Sequence, residues 1–303
     1  MRILNLFNVN LDYIRENMSL IKSQGFDAVQ ISPVQESKHE DSNEWWMFYQ
    51  PISFEVGNKL GSKKDLENLC IEASKNGIIV VSDAVINHLA GADDGSLNTY
   101  KDDDPELVSL KDAWKERRNI DNWDDRWQVT HLCMGLPALN PDNPLVREKI
   151  INMLNEEIDL GVTGFRFDAA KSIALPDDDA SYKSDFFPVV TYCLKRPIDI
   201  IYGEVIFYDK VYTDKYAQYM KVLTNYEASR KDAEVKFVEN KDSFLSNDSM
   251  GYTKNKSKED IIREYRCLTE NYPNTLFYAR NSKDFDMWKS PLVCDANKVK
   301  VLK

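Results

Sequence analysis

Eight short apolar runs punctuate this chain, at residues 3–7, 27–32, 78–83, 164–168, 199–204, 220–224, 235–239 and 275–279. They are rich in β-branched and aromatic residues, and several are apolar on both faces. A strand of that kind belongs in a parallel sheet covered by helices. Helical patterns fill most of the gaps. Residues 11–24 place Leu11, Ile14, Met18 and Ile21 on one face, and Gly25 follows as a stop. Residues 63–76 begin after Ser62, with Asp65 three positions on, and end before Gly77. That is a capping-box variant with a glycine terminator. Residues 144–160 carry a stripe of Leu145, Ile150, Ile151, Leu154 and Ile158 that ends at Gly161. Ser257 and Asp260 open a further helix that runs through about Thr269. Eight strands alternating with helices predict an α/β chain folded as a (β/α)8 TIM barrel.

Two spacings depart from regularity. Between the third strand and the fourth, only 144–160 is needed as the crossover helix. The polar and aromatic residues 89–139 therefore form an excursion at the C-terminal end of the strands, where such barrels carry their active sites. The barrel itself takes residues 1–88 and 140–303. The second irregularity lies between Thr224 and Val235, a gap too short for a helix and its loops. Either the sixth helix is a stub or the strands flanking it are misplaced.

The formal net charge of −11 disfavours nucleic acid and anionic membrane surfaces as partners and suits a neutral substrate. No apolar stretch approaches the length of a membrane span. The N-terminus lacks a signal-peptide core and cleavage site, so a cytoplasmic chain is expected, or a secreted one if the N-terminus is incomplete. The five cysteines, Cys70, Cys133, Cys193, Cys267 and Cys294, form no CxxC pair and read as buried free thiols. A monomer is expected.

Polar groups stand where the buried strands stop. Strand three ends in DAVINH, with Asp83, Asn87 and His88; strand four in GFRFDAAK, with Arg166, Asp168 and Lys171. Strand five ends at Glu204 and strand seven in FVENKD, with Lys241 and Asp242. Arg166 and Asp168 are two apart, so both leave the strand on one face. Carboxylates converging from three strands suit acetal cleavage. One carboxylic acid protonates the leaving oxygen, and a carboxylate on the other face attacks or stabilises an oxocarbenium-like transition state.

These blocks resemble the four that define the α-amylase clan of retaining α-glucan hydrolases. The likeness extends to WWMFYQPISF at 45–54 and to DDRWQVTHLCMGLPALN at 124–140, the stretch leading out of the excursion called domain B. The resemblance implies Asp168 as nucleophile, Glu204 as general acid and base, and Asp242 as transition-state stabiliser. It places Asp83, His88, Arg166, Lys171 and Lys241 around the same sugar. Tyr49 would stack on the reacting ring, Trp45 and Trp46 on neighbouring glucose units, and Gln50 would bond a hydroxyl. It also implies calcium, with Asn87 as a ligand tying domain B to the barrel.

Three positions and the end of the chain depart from the family pattern. Lys241 stands where the family has a sugar-binding His, and brings a full charge beside Asp242. Ala138 replaces the carboxylate expected of a calcium ligand. Ser172 follows Lys171 where many relatives have His, although that position offers calcium only its backbone carbonyl. The chain ends soon after strand eight, where relatives carry a β-sandwich, so the last barrel face is expected to be uncovered or differently packed. The function expected is endo-hydrolysis of α-1,4-glucosidic bonds at reduced rate. A glucan-binding protein without turnover, and a transglycosylase or α-glucosidase on the same barrel, stand as alternatives.

Overall fold

The computed structural model describes residues 1–206, 210–245, 252–281 and 283–301. These residues form ten strands in chain order: β1 (Arg2–Leu6), β2 (Ala28–Ile31), β3 (Gln35–Ser37), β4 (Pro51–Val56) and β5 (Ile79–Ala84). β6 (Gly164–Phe167), β7 (Ile200–Glu204), β8 (Lys221–Leu223), β9 (Glu234–Phe237) and β10 (Thr275–Tyr278) follow. All but β3 and β4 close into one barrel in the order β1-β10-β9-β8-β7-β6-β5-β2, and every neighbouring pair is parallel. Each barrel strand coincides, within a residue or two, with one of the eight apolar runs.

Alternation along the strands sorts the core into two clusters. Ile3, Ala28, Val81, Tyr202, Leu223, Val235 and Leu276 meet inside the barrel. β6 gives this interior Gly164 and Arg166. A Cβ on Gly164 would lie 2.8 Å from Val81 and 3.0 Å from Ile200, so the interior has no room for a side chain there. Leu4, Val29, Val80, Phe165, Val222 and Phe277 face outward and pack with helix residues such as Ile14, Leu66, Val146, Ile150 and Tyr265.

The helices follow the sequence closely. Ser62 and Asp65 form a reciprocal capping box on Lys63–Asn76, and Gly77 ends that helix in the left-handed region at φ 60°. Helices also run over Pro144–Asp159 and Lys258–Asn271. The segment expected as one helix over 11–24 is two, Leu11–Glu16 and Met18–Ser23. The break is at Asn17, whose side chain donates to the Tyr13 carbonyl at 2.8 Å and so competes with the helix ladder.

Between β8 and β9 the only regular element among the described residues is a 3-10 turn, Lys231–Ala233. The strands were well placed and the helix is reduced to less than a stub. Glu234 and Lys236 on the outward face of β9 are buried by the 224–233 loop instead of by a helix. Their side chains pair at 3.5 Å, and each also bonds the loop backbone, Glu234 at the Ala228 N–H and Lys236 at the Tyr226 carbonyl. The last barrel face is covered by the turn Phe285–Lys289 and the helix Pro291–Asn297, with Trp288 fully buried.

Two features had no sequence forecast. β3 and β4 form an antiparallel hairpin in the connection from β2 to β5. The chain beyond β5 then threads beside it, with Ala90 N–H bonded to the Pro51 carbonyl and Asp104 N–H to that of Ile52, both at 2.8 Å. All five cysteines are free, as expected, but only Cys70 and Cys133 are buried; Cys193 and Cys267 are exposed.

Candidate active site

The C-terminal ends of the barrel strands open into a cleft of about 670 Å³. Asp168 and Glu204 line it from the ends of β6 and β7, and Asp242 and Lys241 from the short helix Lys241–Leu245 that follows β9. Trp45, Trp46, Tyr49 and Gln50 line it from the segment before β4, His88 from beyond β5, and Lys171 from beyond β6. Asp83 and Arg166 lie beneath, almost wholly buried on adjacent strands. Asn87 does not line the cleft itself; its Oδ1 accepts from Lys115, and its Nδ2 lies 3.5 Å from His88 Nδ1 and 3.6 Å from Met134 Sδ.

Arg166 organises the floor. Its Nη1 donates to Asp83 Oδ1 and to Asp168 Oδ1, each at 2.6 Å, and its Nη2 pairs with Glu204 Oε1. A guanidinium buried this deeply is tolerable only with such partners. Burial opposes its charge, but the three carboxylates outweigh burial and hold Arg166 above its ordinary value. Burial also works to raise Asp168, yet Arg166, Lys241 and His88 together keep it below the usual carboxylate range. Asp83 goes the other way: burial pushes it up to about 6 against the pull of Arg166. Tyr49 donates its hydroxyl to Asp83 Oδ2 at 2.6 Å.

The backbone after Asp168 is tight. Ala169 takes φ 48°, the left-handed region that non-glycine residues seldom adopt, at a cost of about 1 kcal/mol. The turn aims the Ala169 N–H at Glu204 Oε2, 3.1 Å away, and so couples the two carboxylates through main chain. His88 Nε2 lies 2.9 Å from the Tyr49 carbonyl, which accepts only if Nε2 carries the proton. Burial lowers the His88 pKa and favours that neutral form.

Lys241 is the unexpected geometry. Its Nζ lies 3.4 Å from Asp242 Oδ2, 3.7 Å from Asp168 Oδ1 and 3.9 Å from Glu204 Oε1. The same ammonium sits 4.1 Å from the centroid of the Tyr49 ring, a cation–π distance. Burial opposes this charge, but Asp242 and Glu204, with Asp168, outweigh it and raise Lys241 above the ordinary lysine value. Asp242 is itself raised, by burial against the opposing pull of Lys241.

Sequence reasoning missed five lining residues: Trp123, Met134, Leu136, Ala169 and Ile206. Trp123 is 44% exposed at the rim, and Lys171 Nζ stands 5.0 Å over its ring while donating to the Ile206 carbonyl. An indole among charges in DNWDDRW was the available signal, because burial in a core does not explain it. Asn87 Oδ1 accepts from Lys115 Nζ at 2.9 Å, and Lys115 also reaches the Ser172 carbonyl at 2.7 Å. Among the described residues, no group of three or more His, Cys, Asp or Glu side chains is arranged to hold a metal ion.

Carboxylates from three strand ends, gripped by one arginine under an aromatic-lined cleft, define a barrel equipped for acetal chemistry. The family model for the alpha-amylase catalytic domain matches residues 9–278. An alpha-amylase of Clostridium acetobutylicum is 33% identical over 297 residues, 94% of this chain and 37% of that protein. An alpha-amylase of Thermomonospora curvata is 40% identical over 166 residues, 51% of this chain and 27% of that protein. The crystal structure of alpha-amylase I from Eisenia fetida superposes with a TM-score of 0.76 at 18% identity, covering all of this chain and 72% of the other. The chain belongs to the α-amylase family. It spans well under half the length of these two curated relatives.

Proposed function

We propose that this chain binds α-1,4-glucan in the cleft and cleaves it by α-amylase-like endo-hydrolysis with retention, at a rate restrained by Lys241. The observation that carries the reading is the meeting of Asp168, Glu204 and Asp242 in one aromatic-lined cleft. Asp168, held ionised, attacks the anomeric carbon while Glu204 gives its proton to the departing glycosidic oxygen. A covalent glycosyl-enzyme results. Water then attacks the same carbon, Glu204 takes its proton, and the Asp168 ester breaks. Retention needs the two carboxyl groups close together, whereas inversion keeps them about 6.5–9.5 Å apart to admit a water. That one guanidinium contacts both Asp168 and Glu204 supports the closer arrangement. Asp242 would hold ring hydroxyls, and Trp45, Trp46 and Trp123 offer faces to flanking pyranose rings.

Lys241 supports restraint for two reasons. Its ammonium takes the Tyr49 face on which the reacting ring would stack. It also sets a positive charge beside a transition state that is itself positive. The same observation favours a second reading, glucan binding without turnover. The test is release of reducing ends from soluble starch and maltoheptaose by the purified chain, with Asp168→Asn as control and the product anomer followed by NMR. Slow release of the α-anomer, abolished in Asp168→Asn, is expected. Calorimetric binding of maltoheptaose with no reducing ends over hours overturns hydrolysis in favour of binding alone.

A further inference from the structure

The family resemblance places calcium between the side chains at positions 87 and 138 and the backbone carbonyl of residue 172. In this chain another cation stands there. Lys115 Nζ lies 2.9 Å from Asn87 Oδ1 and 2.7 Å from the Ser172 carbonyl, and the Lys115 backbone N–H bonds the Ala138 carbonyl at 2.8 Å. Lys115 is thus in contact with all three positions. We propose that the Lys115 ammonium replaces a divalent cation as the tie between the 89–139 excursion and the barrel, so that this chain holds its cleft together without calcium.

The donor set supports the exchange. Calcium takes six to eight oxygens, carboxylates among them, at about 2.3–2.6 Å. Here the oxygens are an amide and a peptide carbonyl at ammonium distances, and Ala138 contributes a buried methyl group. Burial pulls Lys115 down to about 7, yet as ammonium or amine its N–H groups donate to the carbonyl dipoles that face it and need no carboxylate. Among the described residues Lys115 makes no ion pair, which leaves no anionic ligand for a dication to inherit. The neighbouring carbonyls are held in the same manner. Arg126, also from the excursion, donates to the carbonyls of Lys171 at 2.7 Å and Ile173 at 3.3 Å, and pairs with buried Asp178 at 2.6 Å. Carbonyls 171, 172 and 173 therefore all accept from cationic side chains of one excursion. These carbonyls lie three to five residues beyond Asp168, so the tie anchors the turn that leads away from that carboxylate. A tethered cation is also not diluted, whereas a bound ion comes and goes with its concentration.

The test reads folding and does not depend on turnover. The melting temperature of the unmodified chain is measured in EDTA and in millimolar calcium, and calcium binding is titrated by calorimetry. No difference in melting and no stoichiometric heat are expected. A lower melting point in EDTA, or stoichiometric calcium binding, overturns the proposal whatever the variants do. Lys115→Met strands two buried carbonyl oxygens and should melt lower by roughly 5 °C or more, without rescue by calcium. Melting like the parent chain overturns the role as a tie. The double variant Lys115→Ser, Ala138→Asp restores a carboxylate and clears the ammonium. It should acquire calcium-dependent melting, and indifference to calcium overturns the assignment of this spot as a cation position.

Discussion

At the scale of single residues, Lys241 is the side chain on which the proposed restraint rests. Its ammonium is held by Asp242, Asp168 and Glu204 together and rests on Tyr49, so it is shared among the groups that chemistry would use. Under the proposed function, a glucan ring stacking on Tyr49 would have to displace it from the aromatic face. An imidazole at 241 is shorter, delocalises any charge it carries over the ring, and still donates a hydrogen bond. Lys241→His should therefore raise kcat on maltoheptaose by about 10-fold or more, short of the roughly 10²–10³ that one well-placed transition-state donor supplies, because Lys241 already donates. Unchanged or lower kcat, measured with KM in the same experiment, would remove Lys241 as the cause of restraint. The sequence displayed Lys241 beside Asp242 but not its reach to Tyr49, because that contact joins positions 192 residues apart through barrel closure. Lys115 was hidden for the same reason. In KDAWKERR it is one cation among several, and only the fold brings it to Asn87. The strand-end carboxylates were legible because a parallel barrel sends every strand end to one rim.

At the scale of elements, all eight barrel strands could be read, since each is rich in β-branched or aromatic residues and several are apolar on both faces. The β3–β4 hairpin could not: Gln35–Ser37 is polar and short, and its pairing depends on Gly57 and Asn58 contacts with residues 33–35. The β8–β9 connection shows what the barrel does without a helix. The outward side chains of β9 are a Glu and a Lys, and the loop buries both. A buried pair adds little over apolar packing, yet breaking it leaves an uncompensated charge that costs about 3–5 kcal/mol. Lys236→Ala strands Glu234 and should lower stability by about 3 kcal/mol in urea unfolding, whereas the double change Glu234→Leu, Lys236→Met should cost much less. Equal losses in the two proteins would mean that packing, not charge, governs this face.

At the scale of the whole molecule, buried ionisable groups tie stability to pH. Glu157 on the helix Pro144–Asp159 is 1% exposed against the outside of the barrel beside Ser82. Burial, reinforced by the charges of Glu156 and Asp83, pushes its carboxyl up to about 8. The native state therefore holds this proton over a range in which the unfolded chain, with an ordinary glutamate near 4.3, has released it. The stability it contributes is fully present below the ordinary value and is lost as pH rises through about 8. Asp83, raised to about 6, acts in the same direction. Asp168 acts in the opposite one: its depressed pKa gives stability above the ordinary aspartate value that is lost as pH falls. Stability should therefore peak on the acid side of neutrality. Between about pH 5 and 8 the Glu157 contribution declines at a slope of at most about 1.4 kcal/mol per unit. Glu157→Gln keeps the neutral shape and removes the titration, so its urea midpoint should fall less steeply over that range and exceed the parent's at the alkaline end. Parallel midpoint curves for the two proteins would show that Glu157 releases its proton at an ordinary value, and would move the search for the pH dependence to the carboxylates beneath the cleft.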